Sequence, residues 1–277
     1  MNQPQHNSAA ATKESLKIIQ LTDPHLFADP TTIFDGINTN ETLVDVIDLI
    51  GQQQENPDCI LCTGDLAQDS SISTYERFYD LVGTLGTDHY WLPGNHDSLL
   101  NMEKAVGADN PCLKKHIQLA HWDIVMLNTC VQGEVFGRLA DEELAFLDRA
   151  LLESRSSDAH VLICLHHNPI PVHSAWLQRH CLKNPEELFA ITDKYQNVKA
   201  MLFGHVHQEM TKQRNNVDII CSPSTCIQFH PTSDEFRLDD KNPAYRWLEL
   251  YDNGELRTGV RRIEGKTYPV DFNSSGY

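Results

Sequence analysis

Five short stretches carry residue types that bind metals and move protons: Asp23-x-His25, Gly64-Asp65, Gly94-Asn95-His96-Asp97, His166-His167 and Gly204-His205-x-His207. Carboxylate, carboxamide and imidazole are hard or borderline donors suited to manganese, iron, zinc or cobalt, and no thiol stands among them. The candidate ligands are Asp23, His25, Asp65, Asn95, His166, His205 and His207. So many donors exceed one ordinary site. They suit two octahedral-type sites that share a bridging carboxylate and keep positions open for water and substrate. Two cations about 3.5–4 Å apart clamp phosphate oxygens and lower the pKa of bound water towards neutrality, which is what attack on a phosphate ester needs. An imidazole that is not a ligand can then stabilise the transition state or protonate the leaving oxygen, and His96 is the candidate. Asp97 is a candidate support for His96, and His167 for the rear of the site. Each piece alone is ordinary: Gly-Asp and Gly-Asn are common turn chemistry, and the chain has 14 histidines. The weight lies in the set, its order and its placement.

Every one of these stretches follows a short apolar run, at residues 16–21, 58–63, 89–92, 160–165 and 198–203, and such runs read as buried strands. Pro24 forbids helix at Asp23 and cannot extend a central strand. If the strands continued, residues i and i+2 of Asp-x-His and His-x-His would point the same way. In open α/β sheets ligands bind at the carboxyl edge, where residues remote in sequence converge. Helical periodicity falls between the strands, at residues 40–50, 73–85, 99–106, 141–153 and 185–195. Thr39 or Asn40 is a plausible N-cap for the first helix and Gly51 its stop. An antiparallel pair is expected at residues 117–119 and 122–128 around His121. The C-terminal part is β-rich, at residues 217–221, 245–251 and 255–263, with a turn at Asp252-Asn253-Gly254. This alternation predicts an α/β fold with a second sheet, as a single domain over residues 16–277 behind a flexible N-terminal tail at 1–15.

Composition narrows the partners. The 277 residues, 40% of them hydrophobic, can bury a sizeable core. A net charge of -17, from 39 acidic and 22 basic residues, argues against nucleic acid, which needs a basic footprint. It leaves room for a small anion, because bound cations reverse the local sign. No apolar run is long enough to span a membrane, and the N-terminus has no apolar core of the secretory type. A cytoplasmic protein is expected, with its eight cysteines reduced. Cys59-x-x-Cys62 lies inside an apolar run, and both thiols read as small core residues rather than a redox or zinc motif.

The order of the five stretches resembles the calcineurin-like metallophosphoesterase superfamily. Longer pieces are similar to its bacterial class III cyclic-nucleotide phosphodiesterases, the CpdA type. They include residues 21–27, Gly36-Ile37-Asn38-Thr39, residues 63–69, residues 91–97, Cys181-Leu182-Lys183-Asn184, residues 223–229 and the closing Gly276-Tyr277. The similarity runs from about Lys17 to the C-terminus. It implies a four-layer αββα sandwich, two mixed sheets flanked by helices. It implies hydrolysis of 3′,5′-cyclic AMP to 5′-AMP with two divalent metal ions, iron or manganese, with zinc or cobalt possible. One cation would take Asp23, His25, Asp65 and His207, and the other Asp65, Asn95, His166 and His205. The choice of His166 over His167 rests on the family pattern His-His-x-Pro-x-Pro, here residues 166–171. In the same reading His25, Asp65, Asn95, His96, His166 and His207 border the substrate. Residues 223–229 either line the nucleotide pocket or pack under the sheet, and His173, His180 and His230 default to surface positions.

Two other functions remain open to the residues alone. Another dinuclear metallophosphoesterase, acting on a phosphomonoester or a glycerophosphodiester, would share the metal motif. A non-catalytic scaffold with a relict site would be expected to lack ligands or His96, and none is missing. Oligomeric state leaves no trace in the sequence.

Overall fold

The computed structural model describes residues 15–53 and 55–276. The expected tail falls almost wholly on residues 1–14, outside the described residues, and Ser15 opens the first strand. In chain order the strands of the two large sheets are β1 (Ser15–Leu21), β2 (Cys59–Thr63), β3 (His89–Leu92), β4 (His116–Leu119), β5 (Trp122–Met126), β6 (His160–Cys164), β7 (Val198–Phe203), β8 (Met210–Arg214), β9 (Val217–Cys221), β10 (Ala244–Tyr251) and β11 (Leu256–Arg262). The helices are α1 (Thr39–Gln52), α2 (Ile72–Gly83), α3 (Leu99–Val106), α4 (Asp141–Ser156), the single turn α5 (Ala175–Gln178) and α6 (Pro185–Thr192). One sheet runs β11-β10-β1-β2-β3 and the other β8-β9-β7-β6-β5-β4. β1, β2 and β3 are mutually parallel, as are β5, β6, β7 and β9, while β4, β8, β10 and β11 pair antiparallel with their neighbours.

Alternation along the strands builds the layers. Ile18, Leu61, Leu92 and Leu248 of one sheet meet Ile124, Leu162, Leu202 and Ile220 of the other in a core between the sheets. The opposite face of the first sheet, with Ile19, Ile60 and Trp91, packs on Leu43, Ile47, Tyr75 and Phe78 of α1 and α2. The outer face of the second, with Ile163, Met201 and Ile219, packs on Leu147 and Leu151 of α4 and Leu188 of α6. The result is the four-layer αββα sandwich. Cys59 faces the core between the sheets and Cys62 the helices, and burial pushes the Cys59 thiol up to about 12. They are core residues on opposite faces, not a dithiol.

The sequence expectations hold for each strand and helix, with shifts that have local causes. The N-cap of α1 is Asn38, whose side chain accepts from the Glu41 amide at 2.9 Å, so neither Thr39 nor Asn40 caps it. The helix runs on through Gly51, where no neighbour lies close and no left-handed φ forces a stop. Ser71 caps α2 and Ser98 caps α3 through the amides of Thr74 and Asn101. α6 ends at Thr192, because Lys194 and Tyr195 turn back onto the carbonyls of Ile191 and Thr192. Neither α5 nor the edge strand β8 has a periodic signature in the sequence.

A polar seam crosses the middle of the sandwich. Arg246 is 2% exposed and is held by Ser222 Oγ, Thr258 Oγ1 and the Cys221 carbonyl at 2.8–3.0 Å. Ser222 also donates to Gln20, and Gln20 donates to Thr63 Oγ1 at 2.7 Å. A guanidinium buried with hydrogen-bond partners for its donors avoids the cost of an orphaned charge. The seam ties β1, β2, β9 and β10 together directly beneath the strand ends that carry the chemistry.

Candidate active site

The five polar stretches meet at the carboxyl edge where the two sheets come together. β1, β2 and β3 bring three of them from one sheet, and β6 and β7 bring two from the other. Beyond β1 and β2 the chain does not continue as pleated strand. The amides of Asp23, His25 and Leu26 still donate to the carbonyls of Gly64, Asp65 and Leu66 at 3.0–3.2 Å. Yet Asp23, His25, Asp65, His205 and His207 all have positive φ, between 47° and 64°. The i, i+2 pairs therefore converge through left-handed residues, not through the strand pleat. Each such residue costs on the order of 1–3 kcal/mol and persists where its surroundings over-determine it.

Close approach depends on glycine. A Cβ on Gly94 would sit 2.1 Å from Asp65 Oδ1, and one on Gly204 would sit 2.1 Å from Thr22 Oγ1 and 2.5 Å from Asp23 Oδ2. These glycines let one sheet's loops rest directly on a neighbour's carboxylate.

Asp23, His25, Asp65, His166 and His207 are buried with their ring nitrogens and carboxylate oxygens gathered in one volume. Asp23 Oδ1 lies 3.3 Å from His207 Nε2. Asp65 Oδ2 lies 3.2 Å from His166 Nε2 and 3.7 Å from His25 Nε2. Potential ligand atoms lie within 4.8 Å of one another in the sets Asp23/His25/His207, Asp23/Asp65/His166, His25/Asp65/His96 and His166/His167/His205. The ring orientations are fixed from behind. His25 Nδ1 meets Gln68 Oε1 at 2.6 Å, His166 Nδ1 the Thr63 carbonyl at 2.8 Å, and His207 Nδ1 the Ile227 carbonyl at 2.8 Å. Such outer contacts turn the other nitrogen, Nε2, towards the centre.

The donor set fits divalent cations. Asn95 Oδ1, His166 Nε2 and His205 Nε2 are buried without a hydrogen-bond partner among the described residues. His166 Nε2 lies 3.2 Å from Asp65 Oδ2. Buried polar atoms are normally satisfied, so three orphans on the loops that carry the candidate ligands mark a place for a ligand. The electrostatics agree. Burial opposes charge on Asp65, but His166 and His96 outweigh it and hold the carboxyl well below its usual range. Burial likewise opposes charge on His166, yet Asp65 and Asp23 pull its pKa up to about 9. Burial holds His25 down to about 3 and His205 well below its ordinary value, so both imidazoles are neutral donors. Anionic Asp65 beside the neutral imidazoles of His25 and His205 makes a site that attracts positive charge.

The remaining expected residues have distinct surroundings. Both ring nitrogens of His167 are engaged, Nδ1 with Thr129 Oγ1 at 2.7 Å and Nε2 with the Val135 carbonyl at 3.1 Å. Asp97 accepts from the amides of Leu66, Ala67 and Gly94 and from the Tyr75 hydroxyl at 2.8–3.1 Å. It thus bears on His96 by clamping the loop on which that residue stands. His96 donates its own amide to Asp65 Oδ1 at 2.9 Å, and its ring lies edge-on to His25 at 5.1 Å. Residues 222–228 are buried, with Ser224 Oγ donating to the Asp23 carbonyl at 2.7 Å. Only Phe229 of the expected segment reaches the cavity that opens on the site.

Residues 16–209 match the family of calcineurin-like phosphoesterases. The chain belongs to that family. This phosphoesterase is 37% identical over 273 residues to the Pseudomonas aeruginosa protein named 3′,5′-cyclic adenosine monophosphate phosphodiesterase CpdA, with 98% of this chain and 99% of the relative covered. It is 38% identical to the protein of the same name from Vibrio vulnificus, covering 99% of this chain and 100% of the relative. The Escherichia coli (strain K12) protein of that name is 36% identical, with 96% and 97% covered. Among solved structures, its fold is like that of a dimetal phosphatase from Danio rerio, with TM-score 0.57, 17% identity and coverage of 88% of this chain and 98% of that one. It is also like that of a purple acid phosphatase from yellow lupin, with TM-score 0.64, 16% identity and 93% and 53% covered. Divalent metal binding follows from the family together with the histidine and aspartate clusters.

The phosphoesterase site opens into a cavity of about 390 Å³, within the range of small-molecule sites. Asp65, Asn95, His96, His205 and His207 line it with polar groups, Trp176, Leu177, Phe229 and Phe236 line it with apolar ones, and Val135, His180, Ser275 and Gly276 complete it. His180 thus borders the cavity, whereas His173 is exposed and His230 half-buried. Sequence reasoning did not find Trp176 or Phe236. Trp176 stands in the single turn α5 and Phe236 in irregular chain, and neither stretch is long enough for a periodicity to mark a large aromatic residue as pocket wall.

Proposed function

We propose that this phosphoesterase hydrolyses 3′,5′-cyclic AMP to 5′-AMP at a dinuclear metal centre, within a single catalytic domain over residues 16–277. The reading is carried by 36–38% identity over nearly the full length of relatives named as cyclic AMP phosphodiesterases. The convergence of the candidate ligands at one cavity supports it. Asp23, His25, Asp65 and His207 would hold one cation and Asp65, Asn95, His166 and His205 the other, with Asp65 shared. The position of Asp65 Oδ2 between His25 and His166 favours that sharing. When bound, the cations supply a water of lowered pKa and a clamp for phosphate oxygens. Iron or manganese is the preferred pair for this nitrogen- and oxygen-rich donor set, with zinc or cobalt accepted.

His96 borders the cavity beside the proposed ligands and is the residue assigned to move a proton onto the leaving 3′-oxygen. Its backbone is held at both ends, by Asp65 Oδ1 on the amide and Ser70 Oγ on the carbonyl. His167 supports the site from behind, and Asp97 supports His96 through its loop. No lysine or arginine lines the cavity among the described residues, so charge compensation for the phosphate falls to the cations and imidazoles. The cysteines are free, which fits a reducing compartment, and the cytoplasm is proposed. No helix among the described residues is long and apolar enough to cross a membrane.

The test is turnover of cyclic AMP by metal-depleted protein reconstituted with iron, manganese, zinc or cobalt, followed by chromatography of 5′-AMP. Turnover of phosphomonoesters or glycerophosphodiesters with none of cyclic AMP would overturn the substrate assignment.

A further inference from the structure

The cavity has two chemically different sides, and the ring contacts run from His207 through Phe229 to Trp176 and Phe236. On one side stand Asn95, His96 and His207, and on the other stands an aromatic wall. Phe229 joins them. One face of its ring is stacked on His207 at 4.0 Å and 15°, and the ring meets Trp176 at 5.0 Å and 79°. Trp176 meets Phe236 at 5.2 Å and 62° and His180 at 6.4 Å and 66°. None of these three contacts is a parallel stack, so no ring in the cluster lies flat on the indole. Trp176 Nε1 is buried without a hydrogen-bond partner among the described residues, although a buried indole N–H normally finds an acceptor.

The wall is built rather than incidental. Trp176 sits in α5 directly after Ser174, which is buried and donates to the Ser233 carbonyl at 2.8 Å. That bond ties α5 to the loop carrying Phe236. Gln178 accepts from the Val172 amide at 2.9 Å and fixes the other side of the turn. No charged side chain among the described residues lines this part of the cavity. A ligand that fits both sides is anionic at one and a flat, heteroatom-bearing π-system at the other.

We propose that Trp176 is the base-binding residue of this enzyme. The nucleobase stacks on the indole within the Phe229–Phe236 wall, with a heteroatom of the nucleoside accepting from Trp176 Nε1, while the phosphate lies at the Asn95–His96 side. His180, on the same wall, and Ser275, which also lines the cavity, are hydrogen-bonding side chains placed to meet the base edge. Burial, with Arg179 and Lys183 nearby, lowers the His180 pKa, which favours a neutral ring able both to donate and to accept. The proposal rests on the cyclic-nucleotide reading of the site, and its test separates the two.

The experiment compares wild type, Trp176→Ala and Trp176→Phe as full-length, metal-loaded protein. Inhibition constants are measured for 5′-AMP and for ribose 5-phosphate, which keeps the phosphate and sugar but lacks the base. Quenching of tryptophan fluorescence by 5′-AMP is followed in parallel. Base–aromatic stacking predicts that Trp176→Ala weakens 5′-AMP about tenfold relative to ribose 5-phosphate and raises KM for cyclic AMP by a similar factor. Trp176→Phe keeps the stack and restores most of the preference, which a packing role alone would not do. Equal weakening of both ligands, or no change in their ratio, overturns the proposal. A wild-type enzyme that fails to turn over cyclic AMP overturns the substrate assignment instead, and the 5′-AMP to ribose 5-phosphate ratio still decides the role of Trp176.

Discussion

Asn95 and His96 are neighbours in sequence with different surroundings. Asn95 Oδ1 is a buried acceptor with no donor among the described residues, whereas His96 is anchored by its backbone and half-exposed to the cavity. Removing the acceptor should act on the metal, and removing the imidazole should act on the proton. Asn95→Ala is therefore expected to lower metal content at saturation, measured by elemental analysis of the purified protein. His96→Ala should keep both metals and lose about 10²–10⁴-fold in kcat, the usual contribution of a positioned acid or base. Loss of metal from His96→Ala would contradict this division of labour. His166 and His167 show the same lesson of context. They are adjacent and both buried, yet one offers an unpartnered Nε2 while the other has both nitrogens engaged.

At the scale of elements, the loop after β2 and the loop after β3 are held together by one carboxylate. Asp97 Oδ2 takes the Leu66 and Gly94 amides, and Oδ1 takes the Ala67 amide and the Tyr75 hydroxyl. All four partners donate, so an amide at this position would turn an NH2 group towards N–H groups. Asp97→Asn is expected to cost about 1–3 kcal/mol in urea denaturation, the penalty for buried donors left unsatisfied. It should also lower kcat, because the clamped loops carry Asp65 and His96. An unchanged denaturation midpoint would mean that the glycine contacts alone hold the loops. The motif ends were legible in the sequence because a polar cluster after each apolar run is a local signal. The left-handed geometry of Asp23, His25, Asp65, His205 and His207 was not. It arises from the pairing of one loop with the next, and a single segment carries no sign of it.

At the scale of the molecule, the two sheets meet at a carboxyl edge that concentrates buried Asp23 and Asp65. The candidate ligands come from five separate stretches and are gathered only in the folded chain, so cations would bind the folded state alone. Metal binding is therefore linked to folding of the whole sandwich. Chelation of the metals should lower the thermal midpoint by about 10 °C, the size expected for a ligand at roughly a thousandfold excess over its Kd in a domain of this length. The midpoint should recover with added manganese or iron in a concentration-dependent manner. A midpoint indifferent to chelator would show that the ligand cluster contributes nothing to stability.

The sequence by itself determined an α/β class with a second sheet, the order of the strands along the chain, and the identity of the polar residues at five strand ends. Those properties follow from local periodicity and from residue types that suit few other purposes in that order. Tertiary structure alone decided which nitrogen of each histidine faces the centre, that Cys59 and Cys62 lie on opposite faces, and that most of residues 222–229 packs beneath the site. It also brought Trp176 and Phe236 to the wall of the cavity. The reason is the same in each case. A side chain's role depends on partners more than a hundred residues away, such as Thr63 for His166 and Asp23 for Ser224, and those pairings exist only once both sheets have closed on their shared core.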